Sequence, residues 1–147
     1  MNGEHVESLI KEIGRRMKIS LPLESGSAAF EDKEGDLWLI EVSPAEDSLL
    51  IHCTIIQGVS LSPEHYRTAL ALNFRCDLLR CCYFSLNELN GSLRLCLQVE
   101  TEHLSADILE NKIVNMMEVK EQVISHLLKN GEQSMKPQSQ FNALMKV

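Results

Sequence analysis

The chain reads as an α+β protein: a two-layer sandwich with helices laid on an antiparallel five-stranded sheet, in the order αβββαββα. Three observations carry this. Apolar residues recur at helical spacing near both ends of the chain and once in its middle. Five short segments between them carry strand patterns and are bounded by turn residues. The connector before the fifth of these ends in Asn90-Gly91, a strong hairpin signal.

The elements follow in order. Val6, Leu9, Ile10, Ile13 and Met17 make one helical stripe, with Glu7, Lys11, Glu12 and Arg15 elsewhere on the wheel. Pro22 stops this helix. Ser27 to Glu31 is a weak short strand, followed by the charged turn Asp32-Lys33-Glu34-Gly35-Asp36. Leu37 to Val42 is the second strand, and Ser43-Pro44-Ala45-Glu46-Asp47 the next turn. Leu49 to Gln57 is the third strand. Leu49, Ile51, Cys53 and Ile55 share one of its faces; Leu50, His52, Thr54 and Ile56 share the other, which is half polar.

Ser62-Pro63-Glu64 starts the middle helix, with a hydroxyl to cap, a proline at the first helical position and then an acid. That helix runs from Pro63 to Phe74. Arg80 to Leu86 and Ser92 to Val99 are the fourth and fifth strands; Leu93, Leu95, Leu97 and Val99 alternate with Arg94, Cys96 and Gln98. Ser105 caps a long helix from Ala106 to about Asn130, closed by Gly131. At 1.5 Å per residue it is about 37 Å long, enough to cross the whole sheet. Leu109, Ile113, Met116, Met117, Ile124, Leu127 and Leu128 form its stripe. We therefore expect one domain over residues 1–131. From 132 to 147 the composition turns polar and reads as a loose tail.

Composition narrows the function. A chain of 147 residues, 44% hydrophobic and 24% charged, is an ordinary globular domain with room for a real core. Its apolar runs fall far short of the ~20 residues that span a bilayer, and acids stand near the N-terminus where a secretory signal has bases. These features predict a cytosolic protein. The net charge of −7 opposes nucleic-acid binding, which needs a basic stripe. The basic cluster Lys11, Arg15, Arg16 and Lys18 reads as a solvated helix face.

No residue set carries catalysis. Glycine-rich phosphate loops, H-E-x-x-H and G-x-S-x-G are absent. His52 neighbours Cys53, but adjacent strand residues face opposite ways and cannot form a nucleophile–base pair. Cys53, Cys76, Cys81, Cys82 and Cys96 include no C-x-x-C and read as reduced small hydrophobes. A thiol sensor built on Cys76, Cys81 and Cys82 would need a basic setting, and only Arg80 offers one. We expect no catalytic residue, no metal and no cofactor.

The middle helix is apolar on more than one side: Tyr66, Ala69, Leu70, Leu72 and Phe74. Such a helix must be covered twice, and a second copy of the chain is one such cover. These five are the candidate dimer interface. Pattern and charge alone lead to a small acidic α+β binding module.

Particular stretches then resemble a known family. Ala69-Leu70-Ala71-Leu72-Asn73-Phe74 and Cys82-Tyr83-Phe84-Ser85-Leu86-Asn87, followed by Gly91-Ser92-Leu93-Arg94-Leu95, are similar to the type III secretion chaperones, the Tir-chaperone-like family. Leu104 to Glu110 resembles that family's entry into its last helix. The likeness in element order spans about residues 4 to 130. The chain departs at Arg80-Cys81, where the family often has glycine, and at Val99-Glu100-Thr101, where it often has proline.

The resemblance implies a homodimeric chaperone of the bacterial cytosol, acting without ATP and engaging the secretion apparatus. It would hold the N-terminal segment of a secreted effector in extended form. An extended client is recognised by strand addition and by pockets for alternate side chains. The strand Ser27 to Glu31 is a plausible edge, and Leu9, Ile13, Ala28 and Phe30 would face the client. The bland alternative is that these four fill the monomer's core. An adaptor of similar fold outside secretion is the other reading.

Overall fold

Strand alternation decides which layer each side chain joins. The computed structural model describes residues 3–22, 24, 26–43 and 47–133, with side chains as far as 129. Strands β1 (Ser27–Glu31), β2 (Leu37–Ser43), β3 (Ser48–Ile56), β4 (Tyr83–Leu86) and β5 (Leu93–Glu100) form one antiparallel sheet, in spatial order β1-β2-β3-β5-β4. Phe30, Trp38, Cys53, Leu95 and Phe84 make one row across all five strands, and all are buried. The next row, Ala29, Leu39, His52, Cys96 and Tyr83, points the other way. β1 and β4 are the sheet edges, as expected for β1.

Helices α1 (Gly3–Met17), α2 (Pro63–Asn73), α3 (Cys76–Leu79) and α4 (Ala106–Gln133) complete the fold. α4 touches α1, α2, α3 and β3 and is the spine of the helical layer. Its buried stripe is Leu109, Ile113, Met116, Val119, Val123 and Leu127, at the three- and four-residue spacing a helix face requires. Leu128, expected in that stripe, is exposed. Ile10 and Ile13 of α1 are fully enclosed; burying such a side chain contributes roughly 1.5–3 kcal/mol.

Several boundaries differ from expectation. Pro22 does not end α1; the helix stops at Met17, and Lys18 takes a left-handed φ of 58°. The single turn α3 and a 3-10 turn at Gly58–Ser60 carry too few residues for a periodic signal. β4 begins at Tyr83, not Arg80, because Arg80 and Cys81 both adopt left-handed φ, 48° and 72°. That is the conformation glycine supplies without cost, so the glycine expected there has a structural reason. Cys81 and Cys82 thus precede the strand; Cys81 is exposed and Cys82 buried. α4 continues helically through Gly131 to Gln133. The tail expected from 132 lies, from 134 onward, outside the described residues, as do Pro44, Ala45 and Glu46.

The basic cluster is more than a solvated face. Arg16 Nη1 donates to Asp107 Oδ1 and to Glu110 Oε2, each at 2.7 Å, and ties α1 to the start of α4. Its Nε also meets Glu12 at 3.1 Å.

Candidate functional site

Two surfaces stand out, one at each edge of the sheet. At the β1 edge the turn into β2 is built around Asp32. Its Oδ1 accepts from the backbone amides of Glu34 and Asp36, at 3.0 and 2.9 Å. Its Oδ2 accepts from Trp38 Nε1 at 2.8 Å and from Lys120 Nζ of α4. Lys120 also donates to Asp36 at 2.6 Å. Burial works to raise the Asp32 pKa, but the hydrogen bonds from Lys120, Trp38 and the Asp36 backbone outweigh it and hold the carboxyl at about 2. Burial likewise works against the charge on Lys120, and the two aspartates more than restore it. Phe30 stacks on Trp38 with ring centres 5.7 Å apart.

This clamp fixes one wall of a cavity of about 600 Å3 between the end of α1, the β1–β2 turn and α4. Its floor is Met17, Ile19, Phe30, Met117 and Ile124. Glu31, Glu34 and Glu121 stand exposed at its rim. The edge of β1 runs into the same groove, because Phe30 and Glu31 belong to both.

The four expected client residues fall on the inside. Leu9, Ile13, Ala28 and Phe30 are 8%, 0%, 1% and 6% exposed and belong to the hydrophobic core. Alternation in β1 sends Ala28 and Phe30 inward and leaves Ala29 and Glu31 outside. Of the four, only Phe30 lines the groove. The expectation missed the Lys120 clamp and the groove it frames. The sequence does hold a signal for it: a lysine in register with the buried stripe of α4, opposite a turn carrying aspartates four residues apart.

At the β4 edge α2 divides its apolar residues between two faces. Ala69 and Leu72 are buried within the protomer and so do not serve as a free interface. Tyr66, Leu70 and Phe74, at i, i+4 and i+8, line one outward stripe, with Leu70 70% and Phe74 90% exposed. The start of α2 is capped by Ser62 and His65, the Ser62 amide donating to His65 Nδ1 at 3.0 Å. Its end is tied to β4, where Asn73 Oδ1 accepts the Phe84 amide at 2.8 Å. Leu86 of β4, in phase with Phe84 and so on the helical side of the sheet, is exposed at the same edge, whereas Tyr83 belongs to the opposite face. At the base of the β4–β5 hairpin Gly58 is pressed against the turn; a Cβ there would lie 2.5 Å from the Asn90 carbonyl oxygen.

The open face of the sheet carries a polar network. Arg94 donates to His52 Nδ1 and to Thr54 Oγ1, both at 2.7 Å, so His52 carries its proton on Nε2 and faces Glu41 Oε2 at 3.0 Å. Burial, reinforced by Arg94, lowers the His52 pKa. Cys53 is buried on the opposite face, so the two side chains do not meet. Burial pushes the Cys53 thiol up to about 12 and Cys82 to about 11, which leaves both as inert packing groups. Among the described residues no group of three or more His, Cys, Asp or Glu could hold a metal ion. No helix among them is long and apolar enough to cross a membrane.

The family profile of the Tir chaperone protein (CesT) family matches residues 8–123. The chain belongs to the Tir chaperone family. It is a type III secretion chaperone of the effector-binding kind. A sequence search among curated proteins finds no significant match. Solved structures share the fold. The ExsC–ExsE complex matches with a TM-score of 0.75 at 20% identity, over 86% of this chain and 97% of that one. The HopA1–SchA chaperone–effector complex gives 0.68 at 15% identity, over 82% and 93%. The ExoU–SpcU complex of Pseudomonas aeruginosa gives 0.58 at 14% identity, over 85% and 96%. At these identities the likeness speaks for the fold; the family membership rests on the profile. For a Tir chaperone, the β1 groove and the α2 stripe are the surfaces to explain.

Proposed function

We propose that this chain works as a homodimer in the bacterial cytosol and holds the N-terminal segment of a secreted effector in extended form, with no catalytic step and no ATP. The observation that carries the reading is the juxtaposition at the β1 edge. Past Ser27, whose outward groups pair with Glu24, the strand edge at Ala29 and Glu31 offers backbone hydrogen bonds, and the apolar groove beside it accepts side chains, the two elements that strand-addition recognition needs. Phe30 contributes to this surface from the groove floor. Leu9, Ile13 and Ala28 support it from beneath and are not contact residues in this conformation.

The dimer is inferred from the opposite edge. Tyr66, Leu70 and Phe74, with Leu86, leave a greasy stripe that a second copy would bury symmetrically. Ala69 and Leu72 brace α2 from inside the protomer.

Affinity capture of the tagged chain from its native cytosol, with mass spectrometry, identifies the client. Calorimetry with the client's first ~50–100 residues should then show saturable binding without nucleotide and a negative heat-capacity change from apolar burial. The segment should become protected from protease without gaining the fold of a globule. Docking of the client as a folded domain, or a requirement for ATP, would contradict the proposal.

A further inference from the structure

The groove at the β1 edge has an electrostatic character that strand addition alone does not use. Its floor is apolar and includes two methionines, Met17 and Met117, whose flexible side chains adapt to varied guests. Its rim is acidic. Glu31, Glu34 and Glu121 are exposed and make no ion pair among the described residues. Lys120 is already committed to Asp32 and Asp36 and is only 5% exposed, so it does not neutralise the rim. Lys33 is the one other cation in the lining. An acidic segment entering this groove is repelled, a neutral apolar one gains only burial, and one carrying a cation beside its anchor gains both terms.

Resting on the client-binding reading, we propose that the groove selects a segment presenting an apolar side chain flanked by lysine or arginine. The apolar residue fills the floor over Phe30, and the flanking cation meets Glu34 and Glu121. The exposed rim gives the contact a strong salt dependence.

The test uses the full chain and three short fluorescent peptides of one length, each with a central leucine pair flanked by lysine, serine or glutamate. Anisotropy titrations at low salt should rank lysine tightest and glutamate weakest, with roughly a tenfold difference between these two. The difference should shrink at 0.5 M salt. In the double variant Glu34→Lys/Glu121→Lys the order should reverse, whereas Glu88→Lys, a control in the β4–β5 turn, should leave it unchanged. Equal affinities, an order that survives the rim reversal, or an order that Glu88→Lys reverses equally would overturn the proposal. Absence of saturable binding by the lysine peptide would overturn it too. A shift of the groove's amide resonances on deleting residues 134–147, with no peptide added, would make the chain's own end the occupant and also overturn it. Capture of the native client separates this proposal from the reading beneath it. If the rim-reversed protein holds the client as tightly as wild type, the rim has no role and the chaperone reading stands. If the wild-type protein holds no client, that reading falls, and the peptide ranking still judges the rim.

Discussion

The two edges of the sheet solve opposite problems. At the β1 edge Phe30, the strand's one large apolar side chain, is turned inward, and the surface that remains is a groove with carboxylates around it. At the β4 edge the adjoining helix leaves Tyr66, Leu70 and Phe74 outside. One edge is complete within a single chain and has room for an extended guest. The other leaves an apolar stripe uncovered within the chain. The same kind of residue, an aromatic or leucine on a short element beside an edge strand, therefore has different consequences at the two ends. What decides is whether α4 reaches over it. α4 encloses the β1 side through the Lys120 clamp and the Arg16 bridge; α2 packs on α4 as well, with Ala69 and Leu72 buried and Tyr66, Leu70 and Phe74 left outside.

This contrast breaks most sharply by placing one charge at each end. Ile13→Asp buries a carboxylate in a fully enclosed site and should cost more than about 4 kcal/mol, leaving little folded protein by circular dichroism. Leu70→Asp should leave unfolding of the protomer nearly unchanged while shifting sedimentation to 16.6 kDa. A folded Ile13→Asp protein, or an unfolded Leu70→Asp one, would reverse the assignment of inside and outside.

The clamp comes next in size. Lys120→Ala leaves the buried Asp32 carboxylate without its cation, while Asp36 is partly solvated, and should destabilise by about 3 kcal/mol in urea. The pH dependence has a definite sign. The folded-state pKa of Asp32, about 2, lies below its unfolded value, so its contribution is present above about pH 4 and is lost as pH falls toward 2. That loss should amount to on the order of 2 kcal/mol and should flatten in Asp32→Asn. An acid limb unaltered in that variant would show that the clamp is not the acid-sensitive element.

The smallest effect is at the entry to β4. Cys81→Gly relieves a left-handed residue carrying a side chain and should raise stability by about 0.5–1 kcal/mol, net of the added freedom of the unfolded chain. A loss of stability would mean that the Cys81 side chain contributes more than its strain costs.

Much of the fold was legible because periodicity is local. β1 is bounded in the structure as the alternation of Ser27 to Glu31 predicts, and α2 begins at Pro63 as its capping sequence predicts. The site was less legible because it depends on which layer covers each face. Ala28 and Phe30 alternate correctly with Ala29, but alternation alone does not say which pair faces α4. Lys120 looks like one more polar residue on a long helix until the β1–β2 turn, 84 to 88 residues away in sequence, arrives over it. α3 is a single turn and leaves no periodic signal, and Arg80–Cys81 holds glycine's conformation without glycine, so only the family resemblance marks that spot.

The division of labour between the two edges is tested most directly by hydrogen exchange on the full chain, with and without the client's N-terminal segment. The segment should slow exchange at Ala29 and Glu31, the β1 amides that point away from β2 and past the Glu24–Ser27 bridge, and across the adjoining two turns of α4 from Met117 to Ile124, while Pro63 to Asn73 stays unchanged. Slowing confined to Pro63–Asn73, with β1 exchanging as in the free protein, would contradict the account.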